Sequence, residues 1–169
     1  MVLIYGEFTT LRPARLEDAE KLAQIRATPE VFARWRGVDL LAEVMDAITA
    51  TDVHLLTISD DSGAIVGAIQ WYEEDDPDYR HAGIDLFLDP AVHGRGLGSD
   101  AIRALAQHLF TVERHHRLII DPAASNLAAI RANEKVGFRR VGTMRRYERD
   151  ADGVWQDGVL MELLAEDLT

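Results

Sequence analysis

The 169-residue chain is 47% hydrophobic and 28% charged, which suits one globular domain with a sizeable core and is short for two. Its formal net charge of -11 argues against nucleic-acid binding, because neutralising phosphates takes clustered Lys and Arg. That charge fits either an acidic surface that serves solubility or one that attracts cations.

With no cysteine, disulfides, thiolate metal sites and an acyl-cysteine intermediate are excluded. No apolar run approaches the roughly 20 residues that span a bilayer, and the opening "MVLIYGEFTT" lacks a basic flank and a small-residue cleavage site. A soluble, cytoplasmic protein with no membrane partner is expected.

In chain order, "EFTTLRPA" (7–14) alternates as a strand, and residues 15–28 carry Leu16, Ala19, Leu22, Ala23 and Ile25 on a helical stripe. A second helical stretch is expected over about 29–50. Residues 53–59 and 64–72 flank the turn sequence "DDSG", which predicts a hairpin of two central strands. The next strand, 80–89, puts Ala82, Ile84, Leu86 and Leu88 on one face and His81, Gly83, Asp85 and Phe87 on the other. After a glycine loop comes a helix over about 96–112 with Leu97, Ala101, Leu105 and Leu109 at four-residue spacing. "RLIID" (117–121) predicts a short buried strand. Residues 126–136 predict a helix capped by Ser125 or Asn126 and closed by Gly137. Two terminal strands, 139–150 and 154–164, read as a hairpin.

The loop "DPAVHGRGLGSD" (89–100) spaces Gly94, Gly96 and Gly98 at every second position ahead of a helix. No lysine follows Gly98, so it is not a P-loop, and the spacing and preceding hairpins are wrong for a dinucleotide fingerprint. By itself it is either a ligand-free tight turn or a helix N-terminus open to a phosphate, with Arg95 available for a charge-assisted contact. Asp100 reads as an ordinary partner of the helix dipole.

"SNLAAIRANEKVGF" (125–138) repeats Asn126, Ala129, Asn133 and Gly137 along one helix face. Together with "HGRGLG", it resembles the GNAT superfamily of acyl-coenzyme A-dependent N-acetyltransferases, and the order of strands and helices matches over essentially the whole chain. The resemblance implies an α/β (α+β) fold with a mixed, mostly antiparallel sheet of about seven strands, a splayed strand pair and about four helices. It implies acetyl-coenzyme A as cosubstrate. The cofactor would lie against His93, Gly94, Arg95, Gly96, Leu97, Gly98 and Ser99, with Asn126, Ala129 and Asn133 on the facing helix and the splayed strands 80–89 and 117–121 forming the slot. His93 stands where the family prefers Gln or Arg. Asn133 stands where the family often has the tyrosine that protonates the departing thiolate.

The "GID" strand, the preceding "WYEE" and the "DP-x-x-SN" stretch are similar more particularly to the aminoglycoside 6'-N-acetyltransferases. The implied acceptor is a small cationic amine. Acetyltransferases of hydroxylysine-type siderophore precursors or protein amines are the alternative, as is a weakened acetyl-coenzyme A sensor.

Asp85 lies mid-strand among apolar neighbours, where aspartate is disfavoured. It can be explained by a salt bridge, by a backbone hydrogen bond, or as the base that takes the ammonium proton, the role the resemblance also implies. Asp121, at a strand end beside the slot, is assigned to amine binding. "EEDDPD" (73–78) reads as a solvated turn; in a polyamine-binding enzyme Glu73 and Glu74 would flank the acceptor mouth, with Trp71 and Tyr72 as flat surface for a sugar. His115 and His116 lack metal-ligand spacing and read as a solvated corner, and no metal is expected. Trp35 and Trp155 read as packing residues, and the stretch 32–38 could alternatively border the acceptor site. Whether two chains pair is open between monomer and homodimer.

Overall fold

The computed structural model describes residues 3–169. Eight strands form one sheet: β1 (Ile4–Tyr5), β2 (Thr9–Pro13), β3 (His54–Asp60), β4 (Ile65–Glu74), β5 (His81–Leu88), β6 (Arg117–Ile120), β7 (Arg139–Arg149) and β8 (Trp155–Leu164). Their spatial order is β1-β2-β3-β4-β5-β6-β8-β7, and every neighbouring pair is antiparallel except β5 and β6. Five helices accompany them: α1 (Ala19–Arg26), α2 (Pro29–Phe32), α3 (Leu40–Thr49), α4 (Leu97–Thr111) and α5 (Leu127–Val136).

The expected mixed, mostly antiparallel sheet is present, with one strand and one helix more than expected. The extra strand is the two-residue β1, too short to carry a period. The extra helix arises because the stretch 29–50 breaks. Gly37 sits so close to Glu43 that a Cβ there would lie 2.0 Å from its Oε2, and Asp39 caps α3 by accepting the Ala42 N–H at 3.1 Å. Glu43 seals the break by accepting the Val38 N–H at 2.8 Å and the Arg26 guanidinium at 3.0 Å. Residues 16–18 form a 3₁₀ turn rather than the start of α1, which leaves Leu16 exposed and off the buried stripe.

Strand alternation divides the core between the two faces of the sheet. Ile69, Ile84 and Leu118 pack with Ala101, Leu105 and Leu109 of α4 in one cluster, whereas Ala68 and Phe87 pack with Leu22, Ile25 and Val44 of α1 and α3 in the other. The expected hairpin strands β3 and β4 are indeed interior. Asp100 lies in the first turn of α4, where a dipole partner belongs, and is also buried. It accepts the N–H groups of Glu7 at 2.9 Å and Phe8 at 3.0 Å and the Thr9 hydroxyl at 2.7 Å, pinning the segment before β2 onto the helix.

The feature that positions the site is the parallel pair. β5 and β6 are paired only at Ala82–Leu118 and Gly83–Ile119, and the ladder then stops while β5 runs on to Leu88. A helix follows each strand, so the N-termini of α4 and α5 both lie at this opened end. Parallel strands that part at their carboxyl ends leave the crevice where ligands sit in open sheets.

Candidate active site

A cleft of 1070 Å³ fills the splay. At one end lies the glycine loop. Gly94 and Gly96 adopt the left-handed conformation, with φ of 78° and 81°, and Gly96 caps α4. An added Cβ at either position would meet nothing within 4 Å, so the backbone faces open space there. Helix geometry leaves the N–H groups of Leu97, Gly98 and Ser99 without intrahelical acceptors, and the first closing bond runs from Asp100 N–H to the Gly96 carbonyl at 3.1 Å. Gly98 has a different reason for its lack of a side chain, because its Cβ would sit 3.3 Å from Leu88 of β5.

Helix α5 forms the facing wall. Asn126 is its N-cap, with Oδ1 accepting the Ala129 N–H at 3.2 Å, and Gly137 closes it at φ 112°. Asn133 borders the cleft while being 1% exposed, its amide donating to Met161 Sδ at 3.8 Å. Arg131 and Lys135, absent from the sequence expectations, line the same wall.

The residues expected to meet the cofactor line this one cleft, with two exceptions in their side chains. His93 lines the cleft, but its Nε2 donates to the Leu88 carbonyl at 3.2 Å. Arg95 turns away to Asp60, with its Nη1 3.9 Å from Oδ2, so its side chain does not add to the cleft. The donor set that remains, backbone N–H groups at a side-chain-free loop with Arg131 and Lys135 opposite, fits a pyrophosphate.

At the other end Asp85, Asp121, Tyr147 and Glu148 line the cleft together. Asp85 is open to solvent through the cleft, yet surrounding protein thins the water around it. That desolvation raises its pKa to about 7; the like charges of Asp121 and Glu148 add to it, and the Leu86 N–H, donating to Asp85 Oδ1 at 2.9 Å, works against it. The Tyr147 hydroxyl donates to Asp121 Oδ2, which together with burial raises the phenol. Trp35, expected as a packing residue, meets Phe87 edge-to-face at 5.1 Å and also lines the cleft.

Tyr147 and Glu148 were invisible to pattern reading because they depend on an irregularity. The β7–β8 ladder passes from Met144–Gly158 to Glu148–Gln156, which sets residues 145–147 against Asp157 alone. Arg146 takes φ 54°, and its N–H donates to Asp157 Oδ1 at 2.8 Å. In a regular strand consecutive side chains face opposite ways; here both face the cleft.

The "WYEE" segment divides by the same alternation. Tyr72 lies on the Asp85 face, its ring over Gly83 and its phenol raised by burial, with Asp121 and Asp85 adding to the effect. Glu74 shares that parity but ends the strand, exposed, accepting the Asp76 N–H at 3.1 Å. Trp71 offers no surface to a ligand. It is 7% exposed, stacked on His54 at 4.0 Å and met edge-on by His115 at 5.9 Å. Glu73 follows Trp71 to the opposite face, with Oε2 3.3 Å from His115 Nε2 and 3.5 Å from Arg80.

His115 is therefore no solvated corner. Its side chain is fully buried, and neither ring nitrogen makes a hydrogen bond among the described residues, the Glu73 approach being poorly aligned. Burial and Arg80 hold its pKa below the usual histidine value against the opposing pull of Glu73 and Glu113. His116 is exposed as expected, and Trp155 is half exposed under the Arg149 guanidinium rather than packed. Among the described residues no group of three or more metal-ligating side chains occurs, and no helix is long and apolar enough to cross a membrane.

Residues 9–139 match the family model for the acetyltransferase (GNAT) domain. Over 75 residues, 44% of this chain, the sequence is 47% identical to the "Aminoglycoside N(6')-acetyltransferase type 1" of Klebsiella pneumoniae, a stretch that spans only 36% of that protein. Over 181 aligned residues, covering 98% of each chain, it is 29% identical to the "Probable N-acetyltransferase YjcK" of Bacillus subtilis (strain 168). Among solved structures, an acetyltransferase (GNAT family) from Bacillus anthracis superposes with a TM-score of 0.84 at 21% identity, over 98% of this chain and 99% of that one.

Proposed function

Because the chain belongs to the GNAT acetyltransferase family, we propose that it transfers the acetyl group of acetyl-coenzyme A to a primary amine of a cationic aminosugar, the 6'-amine of an aminoglycoside being the leading acceptor. The observation that carries the acceptor class is the convergence of Asp85, Asp121 and Glu148 at one end of the cleft, with Asp85 raised to about 7. Three carboxylates facing one cavity favour a substrate with more than one ammonium group.

The division of labour follows from the two ends of the cleft. Acetyl-coenzyme A, when bound, supplies an acetyl group activated as a thioester. The N–H groups of Leu97, Gly98 and Ser99, with Arg131 and Lys135, hold its pyrophosphate, and Asn126, Ala129 and Asn133 border the arm. Asp121, oriented by the Tyr147 hydroxyl, and Glu148 hold acceptor ammonium groups. Asp85 takes one proton from the ammonium to be acetylated, directly or through one water, and so frees the nitrogen lone pair. The nitrogen–carbon bond forms as the carbon–sulfur bond breaks. The nitrogen's second proton passes to water as the adduct collapses, and the sulfur leaves as a thiolate that takes a proton from water in turn, since a carboxamide at Asn133 does not titrate.

The test is thiol release from acetyl-coenzyme A with kanamycin, a hydroxylysine-type amine and a peptide N-terminus offered separately. Release with kanamycin, with the product acetylated at the 6'-amine by mass spectrometry and NMR, is the expected result. Release only with the other amines rejects the aminosugar reading, and cofactor binding with no release rejects catalysis.

A further inference from the structure

Beyond Asp85 the acceptor end of the cleft opens into a second cavity of 290 Å³, bordered by Ser125, Arg149, Asp150 and Gln156. Four residues line both cavities: Ala33, Arg34, Ala123 and Glu148. Two are small and two are oppositely charged, so the junction is a passage with a cation and a carboxylate in its wall.

The other charges around the second cavity are already engaged. Asp150 accepts the N–H groups of Val154 at 2.9 Å and Asp152 at 3.0 Å and the Gln156 amide at 2.7 Å, closing its own turn. Arg149 donates to the Gly153 carbonyl at 3.1 Å and lies over Trp155. Arg34 and Glu148 differ. Among the described residues, neither side chain makes a hydrogen bond, and no ionic partner lies within 4.0 Å of either. They border one passage without closing on each other, and Glu148 reaches it through the irregularity at Arg146.

Unpaired charges of opposite sign along one passage discriminate between kinds of polar substrate. A linear polyamine presents donors only; it satisfies Glu148 but brings positive charge against Arg34. A hydroxyl donates and accepts, so a hydroxylated ring can donate to Glu148 and receive the Arg34 guanidinium at once. We propose that Arg34 and Glu148 form a specificity gate that admits polyhydroxylated amines, aminosugars above all, and disfavours linear polyamines. This rests on the amine-acetylating reading of the cleft and deepens it, by separating two acceptor classes that the three carboxylates alone would treat alike.

The experiment compares kcat/KM for kanamycin and spermidine in the wild-type protein and in Arg34→Ala, Arg34→Lys and Glu148→Gln. Calorimetric titration with each acceptor gives the same comparison without turnover. Arg34→Ala should weaken kanamycin about tenfold, as expected for one lost charged hydrogen bond, and should strengthen spermidine, moving the preference by more than tenfold. Arg34→Lys should keep the discrimination against spermidine and recover only part of the kanamycin affinity, because the planar fork is lost. Glu148→Gln should weaken both acceptors. Arg34 is exposed, so melting temperatures should stay together and separate this effect from misfolding. An unchanged preference in Arg34→Ala, or a shift of both acceptors in the same direction, overturns the gate. Release with neither acceptor, but with a peptide amine, overturns the aminosugar reading itself and the gate with it.

Discussion

Asp85→Asn tests the base through the shape of the pH profile as well as through the rate. Surrounding protein that thins the water around Asp85 in the open cleft, helped by the charges of Asp121 and Glu148, raises the carboxyl to about 7. A raised carboxyl gains its proton-accepting form as pH rises, so Asp85 is about one tenth ionised at pH 6, half at pH 7 and nine tenths at pH 8. The acid limb of kcat/KM for the acceptor should therefore climb about tenfold between pH 6 and pH 8 on account of Asp85. Removing the base should lower kcat/KM at pH 8 by roughly a hundredfold to ten-thousandfold, the usual worth of a positioned proton acceptor, and should erase the limb near pH 7. Asp121→Asn is the companion variant. It keeps the base but removes one of the charges that raise it, so its limb should move to lower pH. Initial rates of thiol release at constant ionic strength, with acetyl-coenzyme A saturating, measure all three profiles. A limb near pH 7 that survives in Asp85→Asn, or near-normal rates at pH 8, would refute Asp85 as the base.

The same raised carboxyl has a stability consequence: the stabilisation it confers is present below the ordinary carboxylate range and lost as pH rises through about 7. Asp85→Asn should thus melt higher than wild type at pH 8, with the gap closing on acidification; a gap that widens towards low pH would reverse the sign assigned here. His115 acts the other way, since a depressed histidine favours the folded chain above about 6.5 and that advantage is lost as pH falls. His115→Leu should shrink the drop in Tm between neutral and mildly acidic buffer, and an undiminished drop would place the acid sensitivity elsewhere. Gly96→Ala meets no atom but forces an alanine to φ 81°, which costs about 1 to 2 kcal/mol. The expected signature is a lower Tm and a higher KM for acetyl-coenzyme A with the acceptor KM unmoved. Asp100→Ala removes three hydrogen bonds to a buried carboxylate and should cost about 3 kcal/mol. Amide hydrogen exchange at Glu7 and Phe8 should accelerate more than at the core of α4.

The end of the cleft beside the glycine loop was legible in the sequence because its determinants are local. Glycines at left-handed positions, a helix start and the Asn126 cap are each written within a few residues, whereas the splay of β5 from β6 was implied by the family resemblance and not by any local signal. The end lined by Asp85, Asp121 and Glu148 was legible only in part. Asp85 stood out as a carboxylate in an apolar strand, whereas Tyr147 and Glu148 reach the cleft through a bulge set by Asp157, a partner from the next strand. The errors have the same root. Trp71 and Tyr72 were grouped as neighbours in sequence, although a strand sends neighbours to opposite faces, and only Tyr72 stays with Asp85. His115 read as a corner because nothing in its own segment reveals Trp71 and Glu73, which come to it from β4. The break at Gly37 and Asp39 is written in the chain as a breaker and a cap, two short signals set within a longer stretch of helical period.

The acidic end of the cleft couples binding to base strength. In the empty cleft, Asp121 and Glu148 help keep a proton on Asp85 by repelling its negative form. An acceptor ammonium held between them offsets that repulsion, and the ammonium awaiting deprotonation also favours the carboxylate it faces. Both effects act in the same direction, so Asp85 sheds its proton more readily in the loaded cleft than in the empty one. The acid limb of kcat, which reports the loaded protein, should therefore lie below the limb of kcat/KM, which reports the free protein. Displacement by about half a unit or more is a reasonable scale for an opposite charge at a partly solvated site. In Asp121→Asn the kcat/KM limb is already lowered, so the two limbs should draw together. Limbs that coincide in the wild-type protein, or a kcat limb above that of kcat/KM, would mean that the acceptor cation does not settle among these three carboxylates.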